Sequence, residues 1–265
     1  MNRIDSIFAG LRARGERGLM PFVCGGRPAG APMAGILRAI EEAGGSIAEI
    51  GIPFSDPIAD GPVIAEAMHQ AIESGVTPGG LFGEVEAARA GLDIGLVAMA
   101  SFSIAFRLGG PDGFAALAAR SGFDGLIIPD CPLEEAGELA VACGEHGLTL
   151  SHLVSPTTPP ARAEALARAS TGFVYLVARA GITGERAGLP DIQGRVAQLR
   201  ECTDLPIACG FGISTSQQVA ETVRHADAAI VGSALVRRLE ASTAADAPGV
   251  VRQFVGELGS GLRGA

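Results

Sequence analysis

Short apolar segments alternate along the chain with longer segments in which apolar residues recur every three or four positions. Segments that are apolar throughout are typical of parallel strands buried on both faces, and the longer period is typical of amphipathic helices. The pattern predicts eight strands, at residues 19–24, 47–52, 94–99, 125–129, 149–154, 173–178, 206–210 and 228–231. It predicts helices at residues 3–14, 32–43, 63–74, 81–89, 113–121, 134–146, 161–169, 192–201, 216–224, 235–240 and 250–258.

This alternation of strand and helix indicates the fold class. Eight strand–helix units in about 250 residues fit a (β/α)₈ TIM barrel. The opening helix stands outside those units, so the prediction is a single α/β barrel domain over residues 1–265 with an extra N-terminal helix. A doubly wound open sheet is the alternative, but no GxGxxG motif follows the first strand. In a barrel the active site is expected where the strands end and the βα loops begin.

Composition and charge restrict the classes of partner. A hydrophobic fraction of 48% with 18% charged residues is enough for a sizeable core and disfavours disorder. The net charge of −9 and the lack of a basic run disfavour nucleic acid and anionic membranes as partners. Five cysteines without CxxC spacing predict reduced, buried thiols. Without a signal-like N-terminus or an apolar run of membrane length, the chain is expected to be cytoplasmic.

Two acids lie between the second strand and the following helix. Glu49 is near the carboxyl end of an otherwise apolar strand, where burying a charge is expensive unless the group is paired or used. Asp60 is in the Pro-, Asp- and Gly-rich loop that leaves the same strand end, so both carboxylates can face one ligand. Two acids in different environments can perform acid–base chemistry near neutral pH. The structural alternatives are a salt-bridged acid at Glu49 and a solvated turn acid at Asp60.

Glycine-bearing segments follow the last three predicted strands, at residues 181–184, 210–214 and 232–233. Small residues let backbone amides approach an anion, and a helix N-terminus adds about half a positive charge. Loops seven and eight of such barrels often bind phosphate. The three segments together predict a phosphate site, with ordinary strand-to-helix turns as the alternative.

The sixth βα loop, residues 178–191, is long and contains Arg179 and Arg186. It suits a lid that closes on substrate, and it equally suits a loose connection. The four histidines lack metal-ligand spacing, and His152 in the fifth strand is expected to be a hydrogen-bonded core residue. The residues support a metal-free acid–base mechanism on a phosphorylated substrate.

Several motifs in a fixed order resemble the alpha subunit of tryptophan synthase over nearly the whole chain. They are EIGIPFSDP at 49–57 continuing to DGP at 60–62, IPD at 128–130, SPTTP at 155–159, GITG at 181–184, GFGIS at 210–214 and GSA at 232–234. The resemblance implies a (β/α)₈ barrel that cleaves indole-3-glycerol phosphate to indole and glyceraldehyde 3-phosphate in tryptophan biosynthesis. It also implies that the chain binds no cofactor, and that its partner is a pyridoxal-phosphate-dependent beta subunit in an α₂β₂ heterotetramer.

The resemblance further implies a role for each matching residue. Glu49 would be the general acid–base that protonates indole C3 and takes the side-chain hydroxyl proton. Asp60 would hold the indole N–H and stabilise the developing cation, and Thr183 in the lid would bond Asp60 on closure. The indole pocket would be walled by Phe22, Tyr175, Phe211 and nearby apolar residues such as Ile213. The phosphate would be held by Gly184, Gly212, Gly232 and Ser233.

Two loops depart from the family's usual pattern. After the first strand the family usually reads Thr-Ala-Gly-Asp-Pro, whereas residues 24–28 here are CGGRP, with Arg27 in place of the acid. After the third strand the family usually shows Tyr, a variable residue and Asn, whereas this chain has Ser101-Phe102-Ser103. In the family the third loop borders the indole pocket and the face that meets the beta subunit. Two alternatives therefore stay open: a stand-alone lyase that acts without a beta subunit, and a mainly regulatory subunit, against which the intact acids argue.

Overall fold

The computed structural model describes residues 2–57, 60–178, 192–210 and 212–264. Within these residues nine parallel strands form one continuous sheet in the order β5-β4-β3-β2-β1-β9-β8-β7-β6. The strands are β1 (Gly18–Cys24), β2 (Ile47–Gly51), β3 (Gly95–Met99), β4 (Gly125–Ile127), β5 (Thr149–Leu150), β6 (Leu153–Val154), β7 (Val174–Val177), β8 (Ile207–Gly210) and β9 (Ala228–Val231). Each of them lies within, or within one residue of, a segment that the hydrophobic pattern predicts as a strand.

The sheet closes through the fifth predicted strand, which is divided into β5 and β6. These two short strands lie at opposite ends of the sheet order, yet only two residues separate them along the chain. Ser151 N donates to Leu126 O at 3.1 Å on the β4 side, and Tyr175 N donates to His152 O at 3.1 Å on the β7 side. The nine strands are therefore eight barrel strands, and the predicted (β/α)₈ barrel is confirmed.

Helices surround the barrel between the strands. They are α1 (Arg3–Ala13), α2 (Met33–Glu42), α3 (Pro62–Glu73), α4 (Pro78–Arg89), α5 (Phe102–Arg107), α6 (Gly110–Arg120), α7 (Gly137–Glu145), α8 (Pro160–Ala169), α9 (Gln193–Arg200), α10 (Ser216–Val223), α11 (Ser233–Glu240) and α12 (Ala247–Gly259), and a 3₁₀ turn covers Ser260–Gly264. The expected extra N-terminal helix is α1. The short α5 is not predicted, because residues 95–106 are almost continuously apolar and their periodicity shows no boundary after β3.

The interior of the barrel is filled from its amino end. Ile4, Phe8 and Leu11 of α1 are buried in one cluster with the inward-facing Met20 and Ile47. Strand residues of the other parity pack outward against the helices, as parallel strands buried on both faces require. The amino end is thus an apolar plug, and the space that remains lies at the carboxyl ends of the strands.

The cysteines and the helix lengths test two further expectations. Four of the five thiols are buried, but Cys202 is half-buried, because it follows the end of α9, where its Sγ is 3.2 Å from Leu199 O. No helix within the described ranges is both long enough and apolar enough to cross a bilayer.

Candidate active site

A pocket opens at the carboxyl ends of the strands, with an empty volume of about 490 Å³ that includes its open mouth. It contains both predicted catalytic acids and six predicted substrate-binding residues. The lining residues are Phe22, Glu49, Asp60, Ile64, Met99, Tyr175, Gly212, Ile213, Ile230, Gly232, Ser233 and Ala234. The other three predicted residues, Thr183, Gly184 and Phe211, lie outside the described residues.

Glu49 points into the barrel from the middle of β2, between Phe22 on β1 and Val97 on β3. The side chain is fully buried, and neither carboxylate oxygen has a hydrogen-bond partner among the described residues. Burial disfavours the charged form and raises the pKa of Glu49 to about 8. Glu49 is therefore protonated at neutral pH in the free protein, and among the described residues it has no ion-pair partner of the kind that a structural acid would have.

Asp60 reaches the same pocket from the loop that follows β2. Its backbone N–H donates to Pro57 O at 3.1 Å, which fixes a turn two residues before α3 begins. Burial raises the pKa of Asp60 to about 6, so that its carboxylate form prevails at neutral pH. One pocket thus holds a protonated acid and an ionised acid, the division of roles that acid–base catalysis requires.

Two glycines make room for the aromatic walls of the pocket. A Cβ added at Gly51 would lie 2.5 Å from Phe22 Cζ, and one at Gly210 would lie 2.9 Å from Tyr175 Oη. Burial, with a smaller effect of Glu49, raises the pKa of Tyr175 well above its usual value, so that the hydroxyl keeps its proton. Both rings consequently lie beside Glu49 in positions that any larger residue at these glycines would disturb.

The far end of the pocket is suited to an anion. Helix α11 begins at Ser233 after Gly232, and no side chain of the described residues caps it. The first amide groups of a helix lack intrahelical acceptors and attract negative charge. Helix α10 differs, because its Thr215 and Gln218 form a capping box that occupies its first amides. The open α11 terminus is therefore the stronger anion site of the two.

His152 lies outside this pocket. The side chain is buried, as expected for a core residue, but within the described parts of the chain its Nε2 has no hydrogen-bond partner. The expected hydrogen bonds involve the backbone instead: His152 N donates to Ser170 Oγ at 3.1 Å and His152 O accepts from Tyr175 N. The backbone of His152 thereby continues the sheet across the interruption between β5 and β6.

Comparison with known proteins agrees with this geometry. The family profile described as tryptophan synthase alpha chain matches residues 8–258. The chain belongs to the tryptophan synthase alpha chain family. Relatives of that name include one from Prochlorococcus marinus, 43% identical over 99% of this chain and 94% of the relative, and one from Chloroflexus aurantiacus, 42% identical over 97% of each.

Solved structures that are similar to this chain come from the same family. Tryptophan synthase subunit alpha from Legionella pneumophila superposes with a TM-score of 0.91 at 29% identity and covers 100% of both chains. A structure of Mycobacterium tuberculosis tryptophan synthase superposes with a TM-score of 0.89 at 33% identity and covers 99% of both. The barrel and its N-terminal helix are therefore those of the tryptophan synthase alpha fold.

The first βα loop, which is expected to depart from the family pattern, is fixed by partners of its own. Arg27 Nε donates to Glu240 Oε1 at 2.8 Å, and Arg27 Nη2 donates to Gln70 Oε1 at 2.5 Å. This largely buried ion pair ties the loop to the last residue of α11 and to α3. Arg27 thus contacts the helices around the pocket and does not line the pocket.

The third loop is also fixed from within. Ser101 Oγ donates to Asp130 Oδ2 at 2.7 Å, and Phe102 N donates to Asp130 Oδ1 at 2.8 Å. Ser101 is also the N-cap of α5 and accepts from Ser103 N at 3.2 Å. Ser101, Phe102 and Ser103 therefore begin a helix that Asp130 holds against the fourth loop.

Proposed function

We propose that this chain cleaves indole-3-glycerol phosphate into indole and glyceraldehyde 3-phosphate by acid–base catalysis. Membership of the tryptophan synthase alpha chain family supports the reaction. The observation that carries the assignment of roles is Glu49, which is fully buried, faces the pocket and is unpaired within the described structure. An acid kept protonated at neutral pH is suited to donate a proton to a weakly basic carbon.

The first step is protonation of the indole ring. Protonated Glu49 donates its proton to indole C3, and the ring becomes a cationic indolenine. Asp60 accepts a hydrogen bond from the ring N–H and stabilises the positive charge that develops there. Because that charge is absent from the bound substrate, the interaction with Asp60 is stronger in the transition state and lowers the barrier.

The second step breaks the carbon–carbon bond. Glu49, now a carboxylate, removes the proton from the hydroxyl group on the side-chain carbon attached to C3. That carbon becomes the aldehyde of glyceraldehyde 3-phosphate, and the bonding electron pair returns to the ring and restores neutral indole. Glu49 ends the cycle protonated, as it began.

Binding residues complete the proposal. Phe22, Tyr175 and Ile213 form the apolar walls for the indole ring, and the amides of Gly212, Gly232 and Ser233 with the α11 N-terminus hold the phosphate. Gly212 has a φ of 78°, a left-handed conformation that favours glycine. Thr183, Gly184 and Phe211 are proposed as further substrate contacts from the family motif alone.

We propose a tryptophan synthase beta subunit as the partner of this chain, in an α₂β₂ assembly. Family membership supports this, and so does the third loop. There Phe106 is 59% exposed on α5, and its ring centroid is 4.8 Å from the ring centroid of the partly buried Phe102. Adding a beta subunit should stimulate cleavage and give a larger complex in gel filtration. If the chain cleaves the substrate and the beta subunit neither associates with it nor stimulates cleavage, the chain is a stand-alone lyase.

The test of the reaction is a product assay on the purified chain. Wild-type protein should release indole and glyceraldehyde 3-phosphate in equal amounts, and Glu49→Gln should lower kcat by about 10²–10⁴-fold. Glu49→Gln should still bind indole-3-propyl phosphate, which lacks the hydroxyl group and cannot be cleaved. No indole from the wild type, or near-normal turnover by Glu49→Gln, contradicts the proposal.

A further inference from the structure

One arginine joins two helices that each hold one end of the pocket. Helix α3 begins two residues after Asp60, and helix α11 begins at Ser233, at the end of the pocket that suits an anion. Arg27 Nε donates to Glu240 Oε1, on the last residue of α11, at 2.8 Å, and Arg27 Nη2 donates to Gln70 Oε1 of α3 at 2.5 Å. The guanidinium thus connects the helix that follows Asp60 to the helix that begins at the phosphate end.

The same two helices also pack together through apolar side chains. With β1 they form one cluster, whose buried members are Phe22, Cys24, Ile64, Ala67, Met68, Ala71 and Val236. Apolar burial is non-directional, so this cluster favours contact between the helices without selecting one alignment. A forked guanidinium–carboxylate contact is directional and fixes distance and angle together. We therefore expect the alignment of α3 with α11 to depend on Arg27.

Each side of this connection is held in place. A Cβ added at Gly26 would collide with Val76, so the first βα loop packs directly against the segment that follows α3. Gln70 Nε2 donates to Glu66 Oε1 at 2.6 Å, one turn earlier on α3, which orients the amide so that its oxygen faces Arg27. Only 12% of the Arg27 side chain is exposed, so water competes little for these hydrogen bonds.

The proposed substrate spans the same two helices. Its ring N–H lies at Asp60 and its phosphate at the N-terminus of α11, and an error of about 1 Å in such a placement can lower the rate by about 10²-fold. Resting on the proposed function, we propose that Arg27 is a positioning residue that sets the separation between Asp60 and the phosphate site to the length of the substrate. It acts through Gln70 and Glu240 and makes no contact with the substrate, because Glu240 is about 10 Å from Ser233 along α11 and Arg27 does not line the pocket.

The test compares a ligand that spans both ends of the pocket with ligands that occupy one end. Indole-3-propyl phosphate spans both ends, glycerol 3-phosphate occupies the phosphate end, and indole occupies the ring end. Arg27→Met should raise the Kd of indole-3-propyl phosphate and lower kcat/KM for the substrate, each by at least about tenfold, and it should change the Kd of the two smaller ligands by less than about twofold. Isothermal titration calorimetry measures the three Kd values. Only the spanning ligand depends on the separation, so equal weakening of all three ligands, or unchanged binding of all three, overturns the inference.

Two further variants locate the effect at this connection. Glu240→Gln removes the charge from the same contact and should also weaken the spanning ligand selectively. The double variant Arg27→Met/Glu240→Gln should lose no more than the larger of the two single losses, because both changes break one contact, and additive losses contradict the inference. Arg252→Met removes an arginine that is paired with Glu42 between α12 and α2, and as the matched control it should leave all three Kd values unchanged.

A conservative variant decides if Arg27→Met does not fold. Arg27→Lys keeps the positive charge but cannot form the forked contact, so it should weaken indole-3-propyl phosphate selectively as well. Wild-type affinity in Arg27→Lys shows that charge alone suffices and overturns the positioning role. A wild-type chain that neither cleaves the substrate nor binds indole-3-propyl phosphate contradicts the proposed function, whereas a wild-type chain that does both, with Arg27 variants of full affinity, contradicts this inference alone.

Discussion

A fully buried acid and a half-buried acid lie at opposite ends of the barrel, and their surroundings differ. Asp124, just before β4 at the amino end, accepts from Leu96 N at 2.9 Å and lies 3.5 Å from Arg3 Nε and 3.6 Å from Arg89 Nη1. Glu49, toward the carboxyl end, lacks any hydrogen-bond partner within the described ranges. A buried acid whose oxygens are satisfied supports the fold, whereas one left unsatisfied costs stability and is available for chemistry.

The pairing of an acid with an arginine at the amino end of the barrel occurs twice. Asp227, just before β9, accepts from Ile207 N of β8 at 2.7 Å and forms an ion pair with Arg200, the last residue of α9. Arg200 also donates to Leu205 O at 3.1 Å, as Arg89, the last residue of α4, donates to Ile94 O at 2.9 Å. In both places an acid and an arginine join the start of one strand to the start of the next. The amino end is thus stabilised by paired charges, whereas Glu49 and Asp60 at the carboxyl end face the pocket.

The largest expected effect at the carboxyl end, beyond that of Glu49→Gln, comes from Asp60→Asn. Loss of the negative charge beside the developing cation should lower kcat/KM by about 10²–10³-fold, the usual effect of removing one electrostatic contact to a transition state. Steady-state indole release measures it. Asp56→Asn, an exposed change in the same loop, is the matched control and should change little. If Asp60→Asn behaves like Asp56→Asn, Asp60 has no role in charge stabilisation.

The pH dependence of kcat/KM should reflect both acids of the free protein. Activity should rise with pH as Asp60 ionises near pH 6 and fall as Glu49 loses its proton near pH 8. Outside these limits kcat/KM should change by about tenfold per pH unit. Asp60→Asn should lose the acidic limb and keep the alkaline one. A profile that is flat from pH 5 to pH 9 contradicts the assignment of both groups.

Asp124→Asn should lower stability and leave activity unchanged, whereas the expected effect of Asp60→Asn is on activity. Asp124→Asn removes a charge-assisted hydrogen bond and the partner of two arginines, and should lower the free energy of unfolding. Burial raises the pKa of Asp124 in spite of these partners, so the loss should be at the low end of the usual range, about 1.5 kcal/mol. Urea unfolding followed by circular dichroism measures this loss. The activity of the folded variant should be unchanged, because Asp124 does not line the pocket. Asp93→Asn, which removes a fully exposed acid 3.9 Å from the same Arg3, is the control and should leave the midpoint almost unchanged.

The sequence alone is enough to predict those features of the fold and the site that depend on the local pattern of residues. Continuous apolar runs identify the strands, and an acid within one of them, followed by a second acid in the next loop, identifies Glu49 and Asp60 as neighbours in one pocket. Pocket walls such as Ile64 and Ile230 were not predicted, because an apolar residue that faces substrate has the same local pattern as one that faces the core.

Contacts between segments that lie far apart along the chain could not be predicted from the sequence either. Arg27 is an isolated change of sign in the sequence, and its partner Glu240 is 213 residues away. The division of the fifth strand and the start of α5 depend on hydrogen bonds to other loops, among them the bond from Phe102 N to Asp130. The periodicity of apolar residues along the chain gives no indication of such hydrogen bonds.

The last prediction tests whether Glu49 is costly to the fold. Its ordinary pKa is 4.5 and burial raises its pKa to about 8, so between these values the folded state binds more protons than the unfolded state. The contribution of Glu49 to stability is therefore greatest below pH 4.5 and is lost as the pH rises to 8. Glu49→Gln removes the ionisation, and should nearly match wild type near pH 5. At pH 8.5 its Tm should be higher by roughly 10 °C, because the difference between the two pKa values corresponds to about 4–5 kcal/mol.

Thermal unfolding at the two pH values measures this difference, with the exposed Glu86→Gln as a control of the same chemistry. A variant that loses turnover and gains stability above pH 8 shows that the carboxyl group is kept at a cost to the fold. Asp124→Asn, which loses stability and keeps turnover, would show the reverse for the amino end. If Glu49→Gln is less stable than wild type at pH 8.5, the Glu49 carboxylate has a stabilising partner, and the contrast between the two ends of the barrel does not hold.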